Sequence, residues 1–328
     1  MRLRTTLTRP AAIAAGALIF VVAACGGAAP APAQSDAYTL ASDSFDANWD
    51  QVKLNIGMTT TGTDSDISVK PEDIQIALDT KAGKGAFHVS LPKSALGSEA
   101  ASLAQLGVTG DTLDIDVLFD GEGLYAKSPI AATLLPMLMA QTGTPLTGDL
   151  TGWIKLGTKD EFAALAGSLG GALPIPSASA GTAGDLSSLD PATLKQKLDE
   201  AGVTLTFVGT EQRNGVNADH LTITVDPAKF AASEFAKQVP ADQLKSLTDV
   251  SADGTLSADI WVDKSNKRLS ELDLHVADKA GTEKADVTVL VGTPDASSFA
   301  TPDGATEVPI APLIQQMAPL LGAGLLGG

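Results

Sequence analysis

Residues 203–225 read VTLTFVGTEQRNGVNADHLTITV, and the fold is decided here. Val203, Leu205 and Phe207 alternate with polar neighbours, as do Leu221, Ile223 and Val225, and Asn214-Gly215 stands between the two runs. An Asn-Gly pair between alternating segments predicts a two-residue hairpin, because both central residues of that turn need positive φ. Period-2 alternation puts the apolar side chains on one face and the polar ones on the other, which is the pattern of antiparallel strands wetted on one side.

The same alternation extends outward in both directions. Upstream it includes Val52, Leu54 and Ile56; Ile74, Ile76 and Leu78; Phe87, Val89 and Leu91; and Leu113, Ile115, Val117 and Phe119. Downstream it continues through Leu256, Ala258, Ile260 and Val262, then Leu272, Leu274 and Val276, then residues 286–291. Turn residues punctuate these runs at 81–85, 120–123 and 263–267. Helical stretches are expected at 94–106, 130–140, 159–169, 190–201 and 227–237, the last reaching to Leu247 at most. Asp190 before Pro191 is an N-cap with proline at the first helical position. Residues 170–188, rich in Gly, Ala, Ser and Pro, read as a long loop. The expected class is α+β: about ten or eleven strands in a large curved antiparallel sheet, a half-open barrel with helices packed on its concave face.

The amino terminus carries a second message. Arg2, Arg4 and Arg9 precede the uncharged run Ala11–Ala24, and Val22-Ala-Ala-Cys25 ends it. That is the order of a signal peptide (1–24) followed by a cysteine positioned for lipidation. Val22 stands where Leu is more usual in such a lipobox, and the alternative is an ordinary secretory signal with an incidental cysteine. The apolar run is shorter than the about 20 residues of a membrane-spanning helix. Cys25 is the only cysteine, which excludes an internal disulfide. Residues 25–42 read as the lipidated N-terminus and a flexible tether, with GGAAPAPAQS at 26–35. Residues 43–307 form the expected folded domain. The tail 308–328 is uncharged, rich in Leu, Ala and Gly, and broken by Pro309, Pro312 and Pro319. It is either disordered or, at Leu313–Leu321, a short apolar helix over a cavity mouth or on the membrane.

Charge narrows the partners. Loss of residues 1–24 leaves 19 Lys and Arg against 39 Asp and Glu, a formal charge of −20. Such a chain does not bind nucleic acid or dock electrostatically on anionic headgroups. Hydrophobic residues make up 44% and aromatic ones 4%, so the core is built from Val, Ile, Leu and Ala.

Catalytic patterns are absent from the sequence. His88, His220 and His275 lie in strand-like runs with no second ligand at metal spacing. Ser90-Leu-Pro-Lys93 matches S-x-x-K, but Pro92 bars the helix that motif needs. Asp120-Gly-Glu122 is too poor in oxygen ligands for calcium and reads as a hairpin turn. Asp114 and Asp116 fall on a wet strand face. No enzyme, cofactor or metal is expected.

The phrases GLYAK (123–127), WIKL (153–156), RNGVNADHLTITV (213–225), DIWVD (259–263) and RLSEL (268–272), in that order behind a lipobox and tether, resemble the LppX/LprAFG-type lipoproteins of actinobacteria. Those lipoproteins share a fold with the carriers LolA and LolB. The resemblance covers roughly residues 43–310. It implies a half-open barrel enclosing a hydrophobic cavity, and a monomer that is exported and lipid-anchored through Cys25 to the outer face of the bacterial cell membrane. Its implied task is to bind or shuttle a lipid or acyl chain. Candidate cavity residues are Ile115, Val117, Phe119, Ile223, Val225, Ile260, Val262, Leu272 and Leu274, each of which has plain core packing as its alternative. The competing function is a non-catalytic interaction or sensor-associated lipoprotein that presents a sheet surface to envelope partners.

Overall fold

The computed structural model describes residues 37–308 other than 46, 63–65, 97–98, 106–107, 109, 143–147, 162–189, 239–253 and 279. The leader, Cys25, the 26–35 tether, the 170–188 loop and the Leu313–Leu321 segment lie outside the described residues. So do all but the first three positions of the helix expected at 159–169 and the reach toward Leu247.

The class is α+β, with thirteen strands and few helices among the described residues. The strands are β1 Gln51–Thr61, β2 Ile67–Val69, β3 Ile74–Asp79, β4 Lys84–Pro92, β5 Thr112–Phe119, β6 Gly123–Lys127, β7 Ile154–Thr158, β8 Val203–Arg213, β9 Val216–Val225, β10 Gly254–Asp263, β11 Leu269–Asp278, β12 Lys284–Gly292 and β13 Thr306–Glu307. The helices are α1 Ala37–Phe45, α2 Glu99–Gln105, α3 Pro129–Thr142, α4 Pro191–Glu200 and α5 Pro227–Ala232. The two strands beyond the expected count are β2 and β13, three and two residues long, too short to show alternation. Strand pairing is antiparallel throughout the registers described, except that β13 runs parallel to β7.

The chain divides into two compact units. The first holds α1, most of β1, β2, and the run from α4 to β12. Its strands follow the order β1-β12-β11-β10-β9-β8, with β2 on β1. The hairpin predicted at Asn214-Gly215 joins β8 to β9, with φ of 50° and 82° at the two residues. A bulge at Phe207/Gly209 interrupts β8, and among the described residues β8 pairs with β9 alone.

Helices α1 and α4 cover the apolar face of these strands. Tyr38, Leu40, Leu194, Leu205, Leu221 and Val262 form one buried cluster, with Leu194, Leu221 and Val262 at 0% exposure. Ala37, Tyr38, Leu40 and Ala41, which precede the Asp43 boundary read from the sequence, are thus buried on α1. Ala37, Tyr38, Ala41 and Ser44 recur at helical spacing in a segment whose small residues resemble the tether before it. The Tyr38 hydroxyl donates to Asp199 on α4 at 3.4 Å and accepts the Leu205 N–H of β8 at 3.3 Å. The Asp190 carboxylate caps α4 as expected, accepting from the Ala192 and Thr193 N–H groups at 3.1 Å. Gly202, at φ 72°, turns the chain from α4 into β8. The helix expected at 227–237 ends early, because Ser233 is extended, with ψ 165°, and Phe235–Gln238 continues as a 3₁₀ turn.

The second unit holds β3 to β7, α2, α3 and the exit segment with β13. Its strands follow the order β13-β7-β6-β5-β4-β3. The helix expected at 94–106 is a 3₁₀ turn at Lys93–Leu96 and then α2. At the β5–β6 turn, Gly121 takes φ 99° and Asp120 accepts from the Glu122 and Gly123 N–H groups at 3.0 and 2.8 Å. The Thr301 hydroxyl of the exit segment donates to the same carboxylate at 2.6 Å.

Candidate functional site

Cross-strand register assembles one apolar face in the second unit. Ile76, Phe87, Val117 and Ala126 stand in one row across β3, β4, β5 and β6. Leu78, Gly85, Phe119 and Leu124 form the next row, and Ile74, Val89 and Ile115 the row on the other side. Neighbouring strands lie about 4.8 Å apart, so these rows make a continuous apolar surface rather than isolated contacts. The surface is only partly covered. Among its larger side chains Val89 is buried, Ile74, Ile76, Leu78, Ile115, Val117, Phe119 and Leu124 are half-buried, and Phe87 is 39% exposed. The sequence-predicted Ile115, Val117 and Phe119 thus stand together here, and Phe87 and Ile76, which alternate just as clearly, belong with them.

The opposite face of the same strands is mixed: Ala77, Leu118 and Tyr125 are buried on it, and beside them its polar side chains are paired. His88 Nδ1 meets Asp116 Oδ1 at 2.6 Å, and the Ser90 hydroxyl donates to Asp114 at 2.5 Å. Lys93 Nζ donates instead to the Val108 carbonyl at 2.7 Å, so Ser90 and Lys93 serve separate partners. Asp120 spends both carboxylate oxygens on the turn and Thr301. Burial pushes the Asp120 carboxyl up, but the bonds from Thr301, Gly123, Glu122 and Tyr125 outweigh it and hold the group below the usual carboxylate range.

The other six predicted residues belong to the first unit, where Val262, Leu272 and Leu274 are buried and Ile223, Val225 and Ile260 half-buried. Ile223, Ile260 and Val262 pack beneath α1 and α4. Val225 packs with Val203, Phe230 and Ala236. Leu272 and Leu274 are 6% and 7% exposed and align with Ile260 and Ala258 of β10. A surface cleft of about 520 Å³ lies at the α4–β8 end, lined by Asp199, Gly202, Thr204, Thr224, Val225, Asp226 and Lys229. Of the nine predicted residues Val225 alone borders it, and its lining is mostly polar.

On its polar side the first unit carries a cluster that the sequence reading did not assemble. The Arg213 guanidinium donates to both oxygens of Glu271 at 2.7 Å and to Asp273 at 3.0 Å, and lies 4.3 Å from the centroid of the Trp261 ring. His220 stacks on the same indole, with centroids 4.6 Å apart and planes 15° apart. Trp261 Nε1 donates to Glu211 at 2.6 Å. His220 Nε2 meets Asp259 at 2.7 Å, and His275 Nδ1 meets Asp286 at 2.7 Å. Each of the three histidines faces a carboxylate across a strand pair. Burial raises the Asp259 carboxyl, yet the bonds from His220 and Thr222 bring it below its ordinary value. Asp273 goes the other way, because burial dominates over the Thr288 hydroxyl and the Arg213 charge, and its carboxyl is raised. The signal for this cluster was Trp261 itself, a large ring on the polar phase of an otherwise alternating strand. Among the described residues no group of three or more His, Cys, Asp or Glu is arranged to hold a metal ion.

No family model matches the sequence, and no curated relative is found for it. Solved structures do resemble it. Lipoprotein LppX of Mycobacterium tuberculosis is 14% identical over 79% of this chain and 95% of its own, with a TM-score of 0.33. LprF from Mycobacterium bovis is 12% identical over 82% of this chain and 97% of its own, with a TM-score of 0.34. A chain of the Pseudomonas aeruginosa MucA/MucB complex is 10% identical over 82% of this chain and 62% of its own, with a TM-score of 0.23. LppX and LprF are the lipoprotein type that the strand-turn-strand phrases of the sequence resemble.

Proposed function

We propose that the protein is a non-catalytic envelope lipoprotein that binds or shuttles a lipid or acyl chain on the apolar face of its second unit. The single observation that carries this reading is the half-covered surface of Ile74, Ile76, Leu78, Phe87, Ile115, Val117, Phe119 and Leu124. Apolar rows on four adjacent strands are ordinarily covered, as Leu205, Leu221 and Val262 are under α1 and α4 in the first unit. Aliphatic walls with a single protruding aromatic ring suit a flexible chain, and each methylene removed from water on them contributes about 0.8 kcal/mol. Export through residues 1–24 and a lipid on Cys25 would keep the protein at the outer face of the cell membrane, beside its ligand, as a monomer with no cofactor.

The test compares two phenylalanines of nearly equal exposure. Phe87 is 39% exposed in the second unit and Phe207 40% exposed in the first. With the chain from Ser35 onward and a fluorescent fatty acid as probe, Phe87→Asp should weaken binding about tenfold or more, because a carboxylate would be desolvated against the acyl chain. Phe207→Asp should leave binding unchanged. Equal binding by both variants, or no binding by the parent chain, overturns the reading and favours an interaction lipoprotein.

A further inference from the structure

A carrier that takes an acyl chain from a bilayer must bring its apolar face to that bilayer, and this chain has no electrostatic means of doing so. Its formal charge is −17, and phosphate-rich surfaces repel it. The segment around α3 carries none of that charge. Between Lys127 and Asp149 there is no acidic or basic residue, although charged residues make up 19% of the chain. Most of this stretch is α3, PIAATLLPMLMAQT, whose polar residues are Thr133, Gln141 and Thr142 alone. A helix of that composition belongs under cover. Only part of it is covered: Met139 is fully buried, while Pro136, Met137 and Ala140 are exposed on the outside, Met137 at 60%. These three positions project from neighbouring parts of one helical surface, and none carries a polar side chain. Met137 is the most exposed of the large hydrophobic residues described. Helix α3 also lies against β5, the strand that contributes Ile115, Val117 and Phe119 to the apolar face.

We propose that the Pro136–Met137–Ala140 surface of α3 is a membrane-docking element that enters the apolar margin of a zwitterionic bilayer and presents the second unit to it. The absence of charge within the stretch is the complement such a surface requires. A basic helix would have pointed to anionic lipid, and an acidic one to no lipid at all. A methionine is suited to the task because its unbranched thioether adapts to disordered acyl chains. The lipid that the proposed function places on Cys25 supplies proximity, and α3 supplies orientation. The inference rests on that reading only for its purpose, and insertion of α3 is measured independently of ligand binding.

The test exploits the cysteine count. A chain beginning at Ser35 has none, so Met137→Cys creates a single labelling site, and Gln196→Cys on the exposed side of α4 provides a control. Both chains are attached through an N-terminal histidine tag to phosphatidylcholine vesicles doped with nickel-chelating lipid, and each carries an environment-sensitive dye. Insertion predicts that the dye at 137 moves to shorter emission wavelength and loses fluorescence to brominated acyl chains, equally at low and high salt, while the dye at 196 does neither. In the unlabelled chain, Met137→Glu should lower vesicle binding in the absence of the tag about tenfold, by removing one buried apolar side chain. No change at 137, an equal change at both sites, or a shift that follows protein concentration without vesicles overturns the proposal; the last would make the surface a contact between copies. Phe87→Asp should weaken fatty-acid binding about tenfold or more without altering the signal at 137, so failure of the carrier reading and failure of docking are separate results.

Discussion

Replacing Arg213 by methionine keeps the stem against Trp261 and removes the charge that two buried acids share. Glu271 is 3% exposed at its side chain and Asp273 13%, whereas Arg213 is 39% exposed. Breaking a fully buried ion pair from one side costs about 3–5 kcal/mol. Water reaching the guanidinium screens part of this, which brings the electrostatic loss to about 2 kcal/mol. The cation over the indole at 4.3 Å adds about 0.5–1 kcal/mol. Arg213→Met should therefore destabilise the first unit by about 2–3 kcal/mol at neutral pH. The deficit should depend on pH in a definite direction. Asp273 already has a raised carboxyl because it is buried, and Arg213 is one of the charges restraining that rise. A group raised in the folded state contributes its full stability below the ordinary carboxylate value of about 4 and loses it as pH rises through the raised value. Without Arg213 the rise is larger, so the gap between variant and parent should be smallest near pH 4 and widen toward neutrality. Urea unfolding of the chain from Ser35, followed by tryptophan fluorescence at several pH values, measures both quantities. Equal midpoints, or a deficit independent of pH, would refute the assignment of Arg213 as the counter-charge of Glu271 and Asp273.

Two further substitutions probe the scaffold. Asp120→Ala should cost the second unit about 1–3 kcal/mol, since it strips partners from the Gly123 N–H and the Thr301 hydroxyl. Because this carboxyl is held below its usual range, its contribution is present above about pH 4 and lost as pH falls through the lowered value. The variant and parent should thus converge in acid, and a gap in urea midpoint that widens there contradicts the role. Gly202→Ala forces a side chain onto φ 72° and brings its Cβ to 2.6 Å from Lys229 Cβ and 2.9 Å from Asp226 Cβ. A loss of at least about 2 kcal/mol is expected in thermal or urea unfolding, and a neutral result would show that the α4–β8 turn relaxes freely.

What could be read in the sequence was local. Asn214-Gly215, Asp190-Pro191 and the alternation of β3, β4 and β5 each act over a few residues, and each forms as expected. What could not be read depends on partners far apart in the chain. Arg213 finds Glu271 and Asp273 at separations of 58 and 60 residues, and no period in the sequence announces such a pairing. Ile223 and Ile260 alternate as well as Val117 does, but alternation names a face without naming what covers it. Ile223 and Ile260 pack against the cluster beneath α1 and α4, while Val117 lies in a row beside the exposed Phe87, although all three are half-buried. Helix α1 itself was hidden by composition, since its Ala and Ser residues continue the texture of the segment before it.

The bulge in β8 bears on how such a chain behaves at high concentration. An unbroken margin would offer a neighbouring polypeptide evenly spaced donors and acceptors on which to extend the ladder. Here the spacing slips between Phe207 and Gly209, close to where Phe207 and Val208 protrude. A strand laid along the first half of β8 is out of step with the second half, so the stickiest point of the margin coincides with the place where continued pairing fails. On the described edge of β8, continued pairing past Phe207 is thereby disfavoured.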